Sequence, residues 1–257
     1  MKSKKKVIAK TLKALSKQNK KGIAWLIDPD KFSLAGGLNW DRIQNSSLDF
    51  IFVGGSHFDQ DNFEEIISQV KKLAKDIPVV LFPGSKLQVS SIADGILFLS
   101  LISGRNPDYL ISQQVKAAKK VHSSNLEVLP TAYLLVNDGE IKSVHRESNT
   151  LPIPNSNEEL IISTALAGKL LGMDYCFLDA GSGAKNTVSP SVISSVKKHL
   201  NSPLIIGGGI DSLQKINQAF ESGADLVVIG NQIEKDPDFL SEVLSFKDWY
   251  NQSLHVN

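Results

Sequence analysis

A chain of 257 residues fits one domain, and its 42% apolar content suffices to fill a single large core. The formal charge of +1 gives no global field for nucleic acid, and a single cysteine, Cys176, rules out an internal disulfide or a multi-cysteine zinc site. No apolar run approaches the roughly 18 residues that span a bilayer, so a soluble protein in a reducing, cytoplasmic setting is expected.

Residues 1–21 concentrate lysine and place Val7, Ile8, Leu12 and Leu15 on one helical face. The apolar face is short, which favours a solvated helix covering one end of a barrel, with peripheral contact as the only membrane association. From Gly22 onward strand and helix signals alternate, the pattern of a parallel α/β domain. Strands are predicted over 23–27, 50–53 and 79–82, with a helix over 62–75 between the second and third. After residue 82 the pattern breaks. Pro83-Gly84-Ser85 runs almost directly into the apolar stretch 95–101, leaving too little room for a third helix. Helices over 107–121, 158–171, 190–200 and 237–244 then alternate with strands over 128–136, 175–178, 204–206 and 226–229. The whole chain reads as a single (β/α)₈ barrel that lacks helix 3 and carries an extra N-terminal helix.

The catalytic residues of such barrels lie at the C-terminal ends of the strands. Those positions here are Asp28 and Asp30 after the first strand, Ser56 after the second, 103–106 after the fourth, Asp179 after the sixth, and two glycine corners after the seventh and eighth. Gly207-Gly208-Gly209 and Gly230-Asn231 let backbone N–H groups approach an anion, as the loops after strands 7 and 8 do when they grip phosphate. Asp28 and Ser56 offer the hard oxygen donors that Mg²⁺ takes when substrate phosphates complete its shell. Asp179 leaves an apolar strand and opens a flexible loop, Ala180-Gly181-Ser182-Gly183, which makes it an acid facing the mouth.

The ordered set LIDPDK (26–31), IFVGGS (51–56), FLDAGSGA (177–184), IIGGGI (205–210) and VVIGN (227–231) resembles the geranylgeranylglyceryl phosphate synthase family. The resemblance covers nearly everything after the N-terminal helix and itself implies a barrel without helix 3. It further implies Mg²⁺-dependent prenyl transfer from a long-chain prenyl diphosphate, geranylgeranyl diphosphate, to the C3 hydroxyl of sn-glycerol 1-phosphate. Carried over, Asp28 and Ser56 become ligands of the Mg²⁺ that holds the diphosphate. Phe177, Leu178, Asp179, Ala180, Gly181, Ser182, Gly183, Gly208, Gly209, Gly230 and Asn231 become the glycerol phosphate site. Asp179 is the expected catalytic carboxylate, orienting the hydroxyl and accepting its proton. A homo-oligomer is expected, with no nucleic-acid partner.

Three positions depart from the family's pattern. Phe177 stands where many relatives have tyrosine, Asp179 where glutamate is commoner, and Leu26 where some members carry lysine. A thirty-five-carbon donor, which would make the chain a heptaprenylglyceryl phosphate synthase, is the alternative. A sugar-phosphate isomerase would share the glycine corners without needing Asp28 beside Ser56, and a noncatalytic phosphate-binding barrel would keep the cradle and lose turnover. The absence of a DDxxD run leaves an all-helical prenyltransferase unsupported.

Overall fold

The computed structural model describes residues 6–32, 40–55, 62–84 and 88–254. Its centre is a closed barrel of eight parallel strands in chain order. They are β1 (Gly22–Ile27), β2 (Phe50–Val53), β3 (Val79–Leu81), β4 (Gly95–Leu101), β5 (Glu127–Leu135), β6 (Tyr175–Asp179), β7 (Leu204–Gly207) and β8 (Leu226–Ile229). β8 closes on β1 through the pairs Gly22 with Leu226 and Trp25 with Ile229.

The helices are α1 (Val7–Lys17), α2 (Trp40–Gln44), α3 (Phe63–Ala74), α4 (Gln113–Ser123), α5 (Ser143–Ser148), α6 (Glu158–Leu170), α7 (Pro190–His199), α8 (Leu213–Glu221), α9 (Asn231–Lys235) and α10 (Phe239–Ser253). Among the described residues no helix joins β3 to β4, which agrees with the gap in the sequence pattern. The helix expected over 107–121 opens with a π-helical turn, Asp108–Ser112, before α4, and the one expected over 237–244 continues as α10 to Ser253. No helix of the described residues is long and apolar enough to cross a membrane.

Strand periodicity divides the core in two. Ile23, Trp25, Ile51, Val53, Leu178, Ile206 and their outward-facing neighbours pack against the helices. Ala24, Phe50, Phe52, Val80, Leu97, Tyr133, Tyr175, Phe177 and Val228 fill the lumen. Ile8, Leu12 and Leu15 of α1 belong to this inner cluster, so α1 stoppers the end of the barrel where the strands begin. Burying these three side chains is worth up to about 1.5–3 kcal/mol each. Gly22 and Gly95 allow the approach: a Cβ would lie 2.6 Å from Leu15 Cδ1 in the first case and 2.5 Å from Ile8 Cδ1 in the second. Cys176 faces outward, buried and free, its thiol pushed up to about 12 by burial.

Acids at the same end tie the sheet down. Asp49, just before β2, accepts the N–H of Ile23 in β1 (2.9 Å); Asp94, before β4, that of Val79 in β3 (2.7 Å); Asp225, before β8, that of Leu204 in β7 (2.7 Å). Each is paired with a lysine, respectively Lys247 (3.0 Å), Lys71 (2.6 Å) and Lys197 (2.6 Å). The first N–H of β3 and β7 and the second of β1 are thereby satisfied, with each acid's charge balanced by a lysine. Glu127, the first residue of β5, does the same for α1, accepting the N–H groups of Ile8 (3.0 Å) and Ala9 (2.8 Å). Replacing it by alanine strands those donors at a buried helix end. Glu127→Ala is therefore expected to lower the unfolding free energy by about 1–3 kcal/mol in denaturant titration; an unchanged midpoint would mean that apolar contacts alone hold α1.

Candidate functional site

At the opposite end, where the strands finish, the loops surround a cavity of about 490 Å³. Leu26, Phe82, Leu99, Tyr133, Phe177 and Val228, all inward-facing, make its floor, and the polar loops make its rim. Of the residues expected at the mouth, Asp28, Asp30, Phe177, Asp179, Ser182, Gly183, Gly208, Gly209, Gly230 and Asn231 line this one cavity. Ser56 lies outside the described residues.

Leu178 and Ala180 are placed differently: both side chains belong to the layer between strands and helices, because a strand shows alternate residues to opposite faces. Gly181 does not line the cavity and turns its N–H to Asp179 Oδ1 (2.7 Å). The 103–106 loop is also structural. Ser103 Oγ accepts the N–H of Leu135 (3.0 Å), and Asn106 Nδ2 donates to the carbonyl of Ser148 (2.8 Å).

The rim joins the first and last loops of the barrel. Lys31 Nζ lies 3.1 Å from Asp28 Oδ2, 3.4 Å from Glu234 Oε2 and 3.5 Å from Asn231 Oδ1. Partial burial opposes its charge, but Asp28 and Glu234 outweigh that and raise its pKa. Ser182 Oγ lies 3.3 Å from the same Asn231 oxygen, so the loops after β6 and β8 also touch. Between them, Gly208 and Gly209 hold φ of 80° and 70°, the left-handed region that favours glycine. Gly208 admits no side chain, since a Cβ would sit 2.5 Å from Asp179 Oδ1 and 2.6 Å from the Gly181 nitrogen.

Asp179 stands at the centre, 8% exposed at the end of β6. Burial raises its pKa, opposed by hydrogen bonds from the Tyr133 hydroxyl to Oδ2 (2.5 Å) and the Gly181 N–H to Oδ1. Tyr133 is the residue that motif reading missed. It pairs in register with Phe177 across β5 and β6, and strand periodicity puts Leu129, Tyr133 and Leu135 in the lumen. That alternation was present in the sequence.

A narrow apolar slot leaves the cavity where helix 3 is missing. Val89, Ile96, Phe98, Leu101, Tyr109 and Ala117 are among its walls, and it shares Pro83, Gly84, Leu99, Tyr133 and Val144 with the main cavity. Asp28 fits a magnesium ion in type: one carboxylate at an open rim is the usual protein share when phosphates and water supply the other ligands, and the Lys31 ammonium already rests against it. Among the described residues no group of three or more His, Cys, Asp and Glu side chains gathers as a closed metal cage.

Comparison with known proteins agrees with this geometry. The PcrB family model matches residues 17–247. A geranylgeranylglyceryl phosphate synthase of Zunongwangia profunda is 47% identical over 229 residues, 89% of this chain and 97% of that protein. That of Korarchaeum cryptofilum is 37% identical over 227 residues, 88% and 93% respectively. Among solved structures, (S)-3-O-geranylgeranylglyceryl phosphate synthase from Thermoplasma acidophilum, in complex with sn-glycerol-1-phosphate, superposes with a TM-score of 0.85 at 31% identity, covering 96% of this chain and 98% of that one.

The buried carboxylate has a measurable cost. The folded chain keeps the Asp179 proton to higher pH than the unfolded chain, so stability falls as pH climbs above the ordinary aspartate value of about 3.9. Asparagine avoids that loss and can still accept from Gly181 and donate to the Tyr133 oxygen. Asp179→Asn should therefore melt at a higher temperature than the wild type at pH 7, with the gap closing below about pH 4. A variant that melts lower at pH 7 would show that burial does not dominate at this carboxyl.

Proposed function

Because the chain belongs to the PcrB family, we propose that its mouth joins geranylgeranyl diphosphate to the C3 hydroxyl of sn-glycerol 1-phosphate, giving geranylgeranylglyceryl phosphate and diphosphate. The protein is a prenyltransferase. The observation that carries the reading is a buried carboxylate, Asp179, which lines the mouth beside the 208–209 glycine corner and is hydrogen-bonded to Tyr133, a residue that also lines the apolar slot.

In this reading the glycerol phosphate docks its phosphate on Ser182, Gly183, Gly208, Gly209, Gly230 and Asn231, where backbone N–H groups and the β8 loop supply the donors. Its C3 hydroxyl then lies within reach of Asp179. The hydroxyl oxygen bonds to C1 of the prenyl group, the C1–O bond to diphosphate breaks, and the hydroxyl proton passes to the Asp179 carboxylate. A raised pKa suits that task, since it makes the carboxylate a stronger base than an exposed aspartate. Asp28, with Ser56, would hold Mg²⁺, which when bound neutralises charge growing on the leaving diphosphate. Lys31 stands beside the same oxygen and brings a second positive charge to that corner. The apolar slot takes the prenyl chain and keeps water from the reacting carbon.

A cytoplasmic location is part of the proposal, supported by the free, buried Cys176. So is a homo-oligomer, supported by Leu170, Leu171 and Trp249, which remain 86%, 75% and 61% exposed in the single chain.

Asp28→Ala is expected to cut turnover at least about a hundredfold with little change in melting temperature; near-normal turnover would remove Asp28 from the reaction. Donor length is tested by letting ten-, fifteen-, twenty- and thirty-five-carbon diphosphates compete in one incubation with sn-glycerol 1-phosphate and Mg²⁺, read by product mass. The twenty-carbon product should dominate. Dominance of the thirty-five-carbon product would make the chain a heptaprenylglyceryl phosphate synthase, and no prenyl product from any donor would overturn the enzyme reading.

A further inference from the structure

We propose that Tyr133 is the positioning residue of Asp179, its phenol fixing the carboxylate where the donor slot opens into the acceptor cradle. The inference rests on the prenyl-transfer reading above and deepens it. Each oxygen of Asp179 receives one donor within the protein, the Tyr133 hydroxyl on Oδ2 and the Gly181 N–H on Oδ1. Two donors from different strands and loops hold a carboxylate plane in place, and the oxygens retain lone pairs for a hydroxyl arriving from the cavity.

The phenol has no freedom to do otherwise. Its ring is 6% exposed and meets Phe82 and Phe177 edge-on, with centroids 5.8 Å and 5.5 Å away and interplanar angles of 84° and 81°. Phe82 and Phe177 lie 5.4 Å apart, so three rings from β3's end, β5 and β6 lock one another. Tyr133 is also common to both cavities, lining the apolar slot and the polar mouth. A carboxylate tethered to that ring is therefore held at the junction of the two. Phe177 brings no hydroxyl to this corner, and the phenol there belongs to its register partner on the neighbouring strand.

Charged side chains that line the same cavity as Asp179 are Asp28, Asp30 and Lys31 from the loop after β1, Lys185 and Asp211 from the loops after β6 and β7, and Glu234 and Lys235 from α9. From β5 Asp179 is faced by Tyr133, and from β7 by the glycines at 207 and 208, while Lys142 and His145 pack on the far side of Gly181. Burial raises the pKa of Tyr133 well above the usual phenol value, and the neighbouring carboxylate adds to the rise, so the hydroxyl stays a donor across the working pH range. Its hydrogen bond favours the charged form of Asp179. Losing it must move the carboxyl's titration upward.

The test is a double-mutant cycle of Tyr133→Phe and Asp179→Asn, assayed with geranylgeranyl diphosphate, sn-glycerol 1-phosphate and Mg²⁺. Phenylalanine keeps the ring packing, so Tyr133→Phe should melt within a few degrees of the wild type. Its kcat should fall about ten- to a hundredfold while KM for sn-glycerol 1-phosphate changes less than about threefold. The acid limb of its kcat/KM profile should lie at higher pH than in the wild type. In the Asp179→Asn background the same change should cost less than about threefold, because the group it positions is gone. Wild-type turnover with additive losses, or with an unmoved acid limb, overturns this inference and leaves the proposed function standing. A wild type that makes no prenyl product overturns both.

Discussion

Everything at the mouth depends on the pairing of β8 with β1. Gly22 meets Leu226 and Trp25 meets Ile229, a parallel register between strands some two hundred residues apart in the chain. That closure sets the loop carrying Asp28 and Lys31 beside the loop carrying Asn231 and Glu234, where Lys31 bridges them. An open sheet with the same strands would separate the two loops by seven strand spacings, about 33 Å. The polar corner around Lys31 and the glycine corner after β7 would then no longer line one cavity.

The ends of the barrel divide the labour among its acids. At the closed end Asp49, Asp94 and Asp225 each accept an N–H from the start of a strand and each have a lysine, an arrangement that stabilises the sheet while balancing the three charges. At the open end Asp179 has hydrogen-bond donors but, among the described residues, no ion pair, and burial raises its pKa. Burial that raises a carboxyl's pKa costs stability above the ordinary aspartate value, a cost that the lysine-paired acids of the closed end do not share in the same form. The separation follows the general habit of (β/α)₈ barrels, whose chemistry sits where the strands finish.

Much of this was legible in the sequence. All eight strands appear as short apolar runs, since strands buried on both faces need no polar alternation. The missing helix showed as a shortage of residues between 82 and 95, a matter of length alone. The two glycine corners and Asp179 were readable because each interrupts an apolar run where a barrel would place function. The side chains of Leu178 and Ala180 turn away from the mouth because a strand sends consecutive residues to opposite faces, which a motif read as a continuous string does not show. Tyr133 was missed because nothing in its local sequence marks it; its role comes from standing opposite Phe177 and against Asp179, a tertiary coincidence. The short helices α2, α5 and α9 were missed too, since five or six residues carry too little periodicity to detect. Ser56, outside the described residues, stays a reading of sequence alone.

The helix that stoppers the barrel also has a history during synthesis. α1 is made before any strand, yet its seat is assembled from Gly22, Gly95, Glu127 and Leu226, drawn from β1, β4, β5 and β8. The apolar face of Ile8, Leu12 and Leu15 must therefore wait, unpartnered, until the final strand has left the ribosome and closed the ring. Such late, long-range docking is slow and exposes apolar surface meanwhile. The lysines at 10, 13 and 17 on the same helix keep that waiting segment hydrated and mutually repelled between nascent chains. A plug whose socket is completed last thus carries its charge on the same short helix as its apolar face.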